Sequence, residues 1–399
     1  MNKHLQILAA IALLVAGCKS STDQETVSEN VPSQVNWLDE FPGSLPHLYT
    51  DLDSNVYLSW VIESDDTARL VYDQIGTDMN PKPITSGTDW FVNWADYPMI
   101  STLHGQNFLA HYLQKSSEGT YSYDIKVTVS NDSGNAWNAP FVLHDDGKEA
   151  EHGFVSVTPY MDNFLVVWLD GRNTVMEESH DGHGQGGAMT LRAAILNTNG
   201  EKLNEWELDN SVCDCCQTSV AITSSGPAVV YRNRSEDEIR DMYVVRFVDN
   251  EWTEPVAVHH DNWNIAGCPV NGPRISAYGN QAVVAWFTAP DEPRVNVVFT
   301  KDGGETFSNP VRLDKGSAIG RVDAVMLDDE KAFVTWMEGE NIEGALVSAS
   351  GEVLKRTVIA SSSTARSSGF PQITSDGDDI FVAFTDTSSG RVKLGVVKI

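Results

Sequence analysis

Two groups of side chains in this 399-residue chain could bind a metal through sulfur and nitrogen. Three cysteines occur within four consecutive positions, a fourth lies farther along, and two histidines stand in a glycine-rich stretch upstream. Thiolate and imidazole together are ligands that suit copper or zinc. One hypothesis is therefore a transition-metal site, copper or zinc, formed by His180, His183, Cys213, Cys215, Cys216 and Cys268.

The start of the chain favours a different role for these cysteines. Residues 1–17 combine Lys3 with an apolar run that ends in small residues before Cys18, which is typical of a secretory signal peptide. In an oxidising compartment four cysteines usually form disulfides. Disulfide bonds are then the alternative to a metal, reactive free thiols are a third possibility, and no cofactor is expected. The pairing stays open, although a bond to Cys268 would join two neighbouring repeats, and the candidates are Cys213, Cys215, Cys216 and Cys268.

The residues before Cys18 also resemble a bacterial lipobox, which implies cleavage at residue 17 and lipidation of Cys18. By the same resemblance, Lys19 favours the outer membrane of a Gram-negative bacterium, on its periplasmic or its surface face. Residues 18–35 are polar and predict a flexible tether. Residues 36–399 predict one folded domain that contacts the membrane only through the lipid.

The elements that must position these residues are short alternating strands separated by turn signals. A unit of four strands recurs with a period of about 50 residues. Each copy has a strand that ends in an aromatic residue, and these closing aromatics are Trp60, Tyr112, Trp168, Tyr231, Trp286, Trp336 and Phe384.

Seven such copies predict an all-β fold, a seven-bladed β-propeller of four-stranded antiparallel blades. The last copy contains only three strands before Ile399, so we expect an early strand near residues 34–39 to complete it and close the ring. The alternative is a six-bladed propeller of the sialidase type with one copy misassigned.

Two hairpins carry a further signature. Residues 130–137, Ser-Asn-Asp-Ser-Gly-Asn-Ala-Trp, match the Asp box Ser-x-Asp-x-Gly-x-x-Trp at every defined position, and residues 300–307 match it with substitutions. In such a turn the aspartate accepts backbone N–H bonds and the glycine supplies an unusual dihedral angle. The chain thus resembles the sialidase-like, BNR-repeat propellers over most of its length from residue 36 on.

The resemblance implies that Asp boxes lie on one face and that the loops before strand one and after strand two open on the other. Nearly all the unusual residues fall in those loops. They indicate a funnel that binds a carbohydrate or another small ligand. The expected ligand-binding residues are Trp94, Asp96, Arg172, Arg232, Trp263, Arg274 and Arg321.

The activity is less defined than the fold. Arginine forks match carboxylates, so glycoside hydrolysis of the exo-α-sialidase kind is one hypothesis, although no catalytic residue can be assigned. The early arginine of the sialidase pattern has no counterpart in the Tyr97-Pro98-Met99-Ile100 run. The alternatives are the metal-binding propeller above and a non-catalytic protein-interaction scaffold.

The charge excludes one class of partner. With 27 Lys+Arg against 56 Asp+Glu, the formal net charge is −29. A chain of this charge repels phosphate backbones, so we expect no nucleic-acid partner. Nothing in the sequence fixes the oligomeric state, for which a monomer is the simplest expectation.

Overall fold

The computed structural model describes residues 35–76, 79–175 and 187–399. Nearly all the secondary structure in these ranges is β-strand, apart from a 3-10 turn at Arg366–Ser368. In the same ranges there is no helix of the length and apolarity that crossing a bilayer requires. The predicted signal peptide, Cys18 with its tether up to residue 34, and the histidines His180 and His183 lie outside the described residues.

Seven antiparallel sheets, here blades 1 to 7, follow one another along the chain. Strand β1 (Val35–Pro42) comes first. Blade 1 contains β2 (Ser44–Thr50), β3 (Val56–Ser64), β4 (Thr67–Gln74) and β5 (Lys82–Gly87). Blade 2 contains β6 (Ile100–Leu103), β7 (Asn107–Lys115), β8 (Tyr123–Ser130) and β9 (Phe141–Val142). Blade 3 contains β10 (His152–Tyr160), β11 (Asn163–Asp170), β12 (Met189–Leu196) and β13 (Lys202–Val212).

Blade 4 has its outer edge in two pieces. It contains β14 (Ser219–Thr223), β15 (Gly226–Arg232), β16 (Met242–Val248), β17 (Glu251–Trp252) and β18 (Val256–His259). Blade 5 contains β19 (Arg274–Tyr278), β20 (Gln281–Thr288), β21 (Arg294–Thr300) and β22 (Val311–Arg312). Blade 6 contains β23 (Ala318–Met326), β24 (Lys331–Glu338), β25 (Asn341–Ser348) and β26 (Val353–Ser361). Blade 7 contains β27 (Gln372–Ser375), β28 (Ile380–Asp386) and β29 (Arg391–Val397).

Strand β1 completes blade 7 by pairing antiparallel with β29, from Val35 opposite Val397 to Pro42 opposite Arg391. This confirms the predicted early closing strand. The first strands of successive blades contact each other in a closed series that returns from β27 to β2. The fold is therefore the predicted seven-bladed propeller, and the six-bladed alternative is excluded.

The closing aromatics form the core between the blades. All seven are buried, and Trp168, Tyr231 and Trp286 are completely so. The strands that carry them read as continuous apolar runs, as in β11 and β20, because neighbouring blades cover both faces of each sheet. Burying one side chain of this size contributes about 1.5–3 kcal/mol. The core therefore lies between blades, and the loops are left free for function.

The Asp box at residues 130–137 joins strands three and four of blade 2. Asp132 Oδ1 accepts hydrogen bonds from the backbone N–H groups of Asn135 at 3.1 Å and Ala136 at 2.9 Å. Gly134 has a φ of 74°, and a Cβ there would lie 1.9 Å from the Tyr72 hydroxyl. Only glycine fits this turn. The second box, between β21 and β22, forms the same bonds through Asp302.

Candidate functional site

A short segment between blades 1 and 2, residues 94–97, reaches across the ring and contacts blades 3 to 7. We call it the bridging segment. The carbonyl of Ala95 accepts a hydrogen bond from Gln217 Nε2 of the blade 4 entry at 2.6 Å. In an antiparallel blade the loops before strand one and after strand two leave the same edge, opposite the loop between strands three and four. The bridging segment therefore lies on the face opposite the Asp boxes.

Trp94 is fixed by blades 6 and 7. Its ring stacks on Phe370 with centroids 5.7 Å apart, and the Arg321 guanidinium lies 4.7 Å from the ring centroid. Arg321 is buried in a left-handed backbone conformation, φ 53°. Burial, together with nearby Arg366, lowers its pKa to about 10. Its guanidinium donates hydrogen bonds to the hydroxyl of Ser368 and the carbonyls of Thr364, Ala365 and Gly369.

Tyr97, the last residue of the bridging segment, meets the predicted arginine at the start of β19. Arg274 donates a hydrogen bond to the Tyr97 hydroxyl, and Gln372 Nε2 donates to the same oxygen at 3.0 Å. The Nε of Arg274 lies 3.7 Å from Asp323 Oδ1. Burial lowers the pKa of Arg274, while Asp323 opposes that shift. Arg274 lines a central cavity of about 330 Å³ between the first strands.

Arg232 and Trp263 form a second buried pair, with the guanidinium 4.9 Å from the ring centroid. Arg232 donates to the carbonyls of Asn271, Arg240 and Phe287 at 2.6–3.1 Å. Asn271 also links this pair to blade 6, because its Oδ1 accepts the backbone N–H of Arg321 at 2.7 Å. Arg232 thus joins blades 4 and 5.

The structure places Arg172 apart from the other predicted arginines. It forms a bidentate ion pair with Asp170, in which Nε and Nη2 each lie 2.7 Å from a carboxylate oxygen. Asp146 lies 3.2 Å from its Nε and also contacts His152 Nε2 at 2.8 Å. Burial opposes ionisation of Asp170, but hydrogen bonds from Arg172 lower the pKa of this carboxyl to about 2. The rings of His144 and His152 stack with centroids 3.6 Å apart.

Asp96 of the bridging segment is buried and lies near a second acidic residue, Glu151. Its Oδ2 accepts no hydrogen bond from the described residues. Burial and the nearby charge of Glu151 raise the pKa of Asp96 to about 8, against a backbone hydrogen bond from Phe154. The Tyr123 hydroxyl donates to Glu151 Oε1 at 2.7 Å. Burial and the charges of Asp214 and Cys213 raise the pKa of Glu151 to about 7, although the Tyr123 bond opposes this.

The disulfide hypothesis is confirmed for one pair, because Cys215 is bonded to Cys268 with Cα atoms 6.1 Å apart. This bond joins the loops that enter blades 4 and 5, as predicted for a bond to Cys268. Cys213 and Cys216 are free thiols, completely buried, with sulfurs 2.6 Å apart. Burial raises the pKa of the Cys216 thiol. For Cys213 burial is outweighed by the Cys216 contact and by Arg232 and Arg240, which lower its pKa to about 7.

Metal ligation stays a prediction. The sulfurs of Cys213, Cys215 and Cys216 lie within 4.8 Å of one another, yet the Cys215 sulfur is already bonded to Cys268. A metal would therefore have two thiols to bind in this oxidation state. The described residues also bring ligand atoms within 4.8 Å in two groups that share His152: Asp124, His144 and His152, and Asp146, His152 and Asp170.

Two cavities flank the stretch that leads into the bridging segment, and they share Glu63 and Val92. The first, about 810 Å³, is bordered by Trp90, Phe91 and the loop after β7. The second, about 740 Å³, is bordered by Trp94 and the start of β2. We call them together the aromatic groove. Its residues lie in the connections before strand one and after strand two and at the strand ends next to them, so it opens opposite the Asp boxes.

Sequence reasoning missed several residues that organise this face. Tyr97, Gln217 and Asn271 are uncharged, and their roles depend on contacts between blades that no local pattern encodes. Glu151 and Tyr123 were also missed as a pair, because they lie on different blades. Glu151 lies at the entry to a first strand, and Arg274 and Arg321 lie within the first few residues of theirs. This position near a blade entry was the available signal.

Fold and loops together define a seven-bladed β-propeller with two Asp boxes on one face and a groove on the other. No protein-family model and no curated protein matches the sequence. Solved structures do match. The α-L-arabinofuranosidase of Fusarium graminearum, solved with arabinobiose, has 12% identity and a TM-score of 0.50, over 92% of this chain and 98% of that one.

Two further matches have lower TM-scores. The NanB sialidase of Streptococcus pneumoniae has 11% identity over 86% of this chain and 82% of its own, with a TM-score of 0.46. An ulvan lyase has 13% identity over 77% and 79%, with a TM-score of 0.48. At these identities the likeness concerns the fold alone.

Proposed function

We propose that this chain is an exported, lipid-anchored propeller that binds a carbohydrate in the aromatic groove. The groove is of the size that small ligands occupy. Three aromatic side chains, Trp90, Phe91 and Trp94, line it among mostly polar and small residues. The fold likeness to an arabinofuranosidase solved with arabinobiose supports a sugar as the ligand.

The observation that carries the proposal is the fixed position of Trp94 at the edge of the groove. Phe370, Arg321 and Arg366 hold its ring from other blades, so little conformational freedom is left to lose when a sugar contacts its exposed part. Trp94 is only half-buried, whereas Trp263, the other predicted tryptophan, is buried against Arg232. Trp94 is therefore the ligand-contacting member of the predicted pair.

The charges around the groove favour a neutral sugar over a sialic acid. Arg232 and Arg321 donate to the protein's own carbonyls, and Arg172 pairs with Asp170. A carboxylate clamp would have to break these bonds first. Glu63 and Asp89 line the groove with Lys115 as a cation beside them. Together with a net charge of −29, this surface disfavours anions.

Hydrolysis is a second candidate function, and the Tyr123–Glu151 hydrogen bond favours it. Tyr123 is completely buried and cannot reach a sugar, whereas Glu151 is partly exposed. A carboxyl with a pKa near 7 suits a general acid. Phe91, which lines the groove, stacks on Tyr123 at 4.2 Å. Glu151 is thus the candidate proton donor, next to the Phe91–Tyr123 stack that borders the groove.

A glycan panel tests both functions. The purified chain without residues 1–17 is applied to immobilised neutral and sialylated glycans, and fluorogenic glycosides are assayed for turnover. We expect binding to neutral glycans; binding to none of them would refute the binding proposal. Turnover that Glu151→Gln abolishes while binding persists would establish hydrolysis. Binding without turnover would leave a lectin-like module.

The anchor is proposed from residues 1–18 and has its own test. Cys18→Ser expressed in a Gram-negative host should fail to incorporate radiolabelled palmitate and should lose its membrane fractionation. Labelling of Cys18→Ser equal to that of the unmodified chain would refute lipidation at this residue.

A further inference from the structure

We propose that Cys213, Cys215, Cys216 and Cys268 form a thiol–disulfide exchange centre. In this centre the buried Cys213/Cys216 dithiol supplies two electrons to the Cys215–Cys268 disulfide, which lies nearer the surface. Cys268 would then be the thiol at which an external small-molecule or protein disulfide is reduced. This proposal does not depend on whether the aromatic groove binds a carbohydrate.

The two cysteine pairs differ in accessibility. Cys213 and Cys216 are 0% and 1% exposed, whereas Cys268 is exposed on the loop that enters blade 5 and Cys215 is half-buried between them. An external reagent can therefore reach the outer bond but not the inner thiols. The sulfurs of Cys213, Cys215 and Cys216 nevertheless lie within 4.8 Å of one another.

Cys213 is the residue placed to attack. Arg240 Nη1 donates to its sulfur at 3.3 Å, and Cys216 contacts the same sulfur at 2.6 Å. Cationic neighbours favour the thiolate, which is the nucleophile in exchange. Attack by Cys213 on Cys215 closes a ring with one intervening residue, whereas attack by Cys216 would join adjacent residues.

The exchange is balanced without a further oxidant. The Cys213 thiolate attacks Cys215 Sγ, so the Cys213–Cys215 bond forms, the Cys215–Cys268 bond breaks, and Cys268 leaves as a thiolate that water protonates. Cys216 then loses its proton and attacks Cys213 Sγ, which releases Cys215. One disulfide has replaced another, and the two thiols have moved from the interior to Cys215 and Cys268.

The surface dithiol can then reduce an external disulfide. Cys268 attacks one external sulfur and the other leaves as a thiol. Cys215 resolves the mixed disulfide, which restores the Cys215–Cys268 bond and releases the second thiol. The external compound gains two electrons, and the buried pair ends as a disulfide.

Cystamine, a small disulfide, is a suitable probe. The protein, with Cys18 lipidated or replaced by serine, is brought anaerobically to the state with two thiols per chain, Cys213 and Cys216. It is then mixed with cystamine, quenched with acid and mapped by peptide mass spectrometry. We expect two cysteamine thiols released per chain, a transient cysteamine adduct on Cys268, and a final state with both Cys213–Cys216 and Cys215–Cys268 bonds. An adduct found first on Cys213 or Cys216 would contradict the relay.

The decisive variant is Cys215→Ser/Cys268→Ser, which keeps the buried dithiol and removes the disulfide through which its electrons would reach cystamine. It should release cysteamine at least ten-fold more slowly than the unmodified chain. Equal rates would show that cystamine reaches the buried pair directly and would overturn the proposal. Mapping of the unmodified chain remains decisive if the variant does not fold. Stoichiometric copper or zinc on four unreactive thiols would also overturn it, in favour of a metal site.

Discussion

The guanidinium of Arg321 lies 4.7 Å from the ring centroid of Trp94, although the two residues belong to blade entries far apart in the chain. A cation over an aromatic face contributes roughly 0.5–2 kcal/mol, more when it is desolvated. Because the same guanidinium also holds the backbone of residues 364–369, one side chain fixes both the wall of the groove and the aromatic ring at its edge.

Arg321 is therefore expected to act on stability more than on ligand charge. Arg321→Ala removes the donor to the buried Ser368 hydroxyl and Gly369 carbonyl. We therefore predict a loss of about 1–3 kcal/mol in the free energy of unfolding, measured in urea. Arg69→Ala, on the exposed side of β4, is the control and should change it by less than about 0.5 kcal/mol. An Arg321→Ala chain of unchanged stability that loses affinity for sialylated glycans would restore the carboxylate clamp.

The second Asp box gives a pH-dependent prediction. Burial would raise the pKa of Asp302, but hydrogen bonds from Thr306, Thr300 and Glu305 lower it to about 2. Since the unfolded value is near 3.9, this stabilisation is complete above about pH 4 and is lost as the pH falls towards 2. Asp302→Asn should be less stable than the unmodified chain by about 1 kcal/mol at pH 7. That gap should close by pH 2; a gap that stays constant would contradict this role.

Asp96 predicts that stability depends on pH with the opposite sign. Its pKa is raised to about 8, so the folded chain binds a proton that the unfolded chain has released. Stability should therefore fall as the pH rises from about 4 to about 8. Asp96→Asn should flatten this dependence in urea unfolding at pH 5 and pH 9, and Glu151→Gln should flatten it only up to about pH 7. If the free energy of unfolding depends on pH in both variants as it does in the unmodified chain, the raised pKa values of Asp96 and Glu151 are refuted.

Strand β1 is expected to be essential for closing the ring. Phe41 of this strand is buried and lies 4.7 Å from the ring of Trp60. Phe41→Ala should cost about 3–5 kcal/mol in the free energy of unfolding because it empties a core site. A chain that begins at residue 35 is the control and should match the full-length chain. If a chain that begins at Gly43 unfolded at the same temperature, the closing strand would be dispensable.

The fold could be predicted from local sequence because each blade repeats the same short-range pattern. The closing aromatics, the turn at Asp132 and the early strand near residue 35 all follow from periodicity and turn chemistry. The site could be predicted only as far as its face. Arg232 and Arg321 bind the chain's own carbonyls because particular loops contact each other across the ring. These contacts join residues far apart in the chain, so no local sequence pattern predicts them.

The same limit explains the cysteines. The Cys215–Cys268 bond joins two blade entries, so the repeat pattern could predict that Cys268 lies near the cluster but not which cysteine it binds. Cys215 is its partner because Cys213 and Cys216 are both completely buried, while Cys215 alone of the three is half-buried beside the exposed Cys268.

The most direct test of carbohydrate binding in the aromatic groove is the affinity of Trp94→Ala for a neutral glycan, measured by titration calorimetry. The glycan is the one that the unmodified chain binds best. Loss of one stacking ring is worth about 1.4 kcal/mol, so the dissociation constant should rise about ten-fold. The control is Tyr278→Ala, an aromatic residue of similar size that is 55% exposed at the β19–β20 turn on the Asp-box face. It should bind like the unmodified chain. Equal affinities for Trp94→Ala and the unmodified chain would contradict the account.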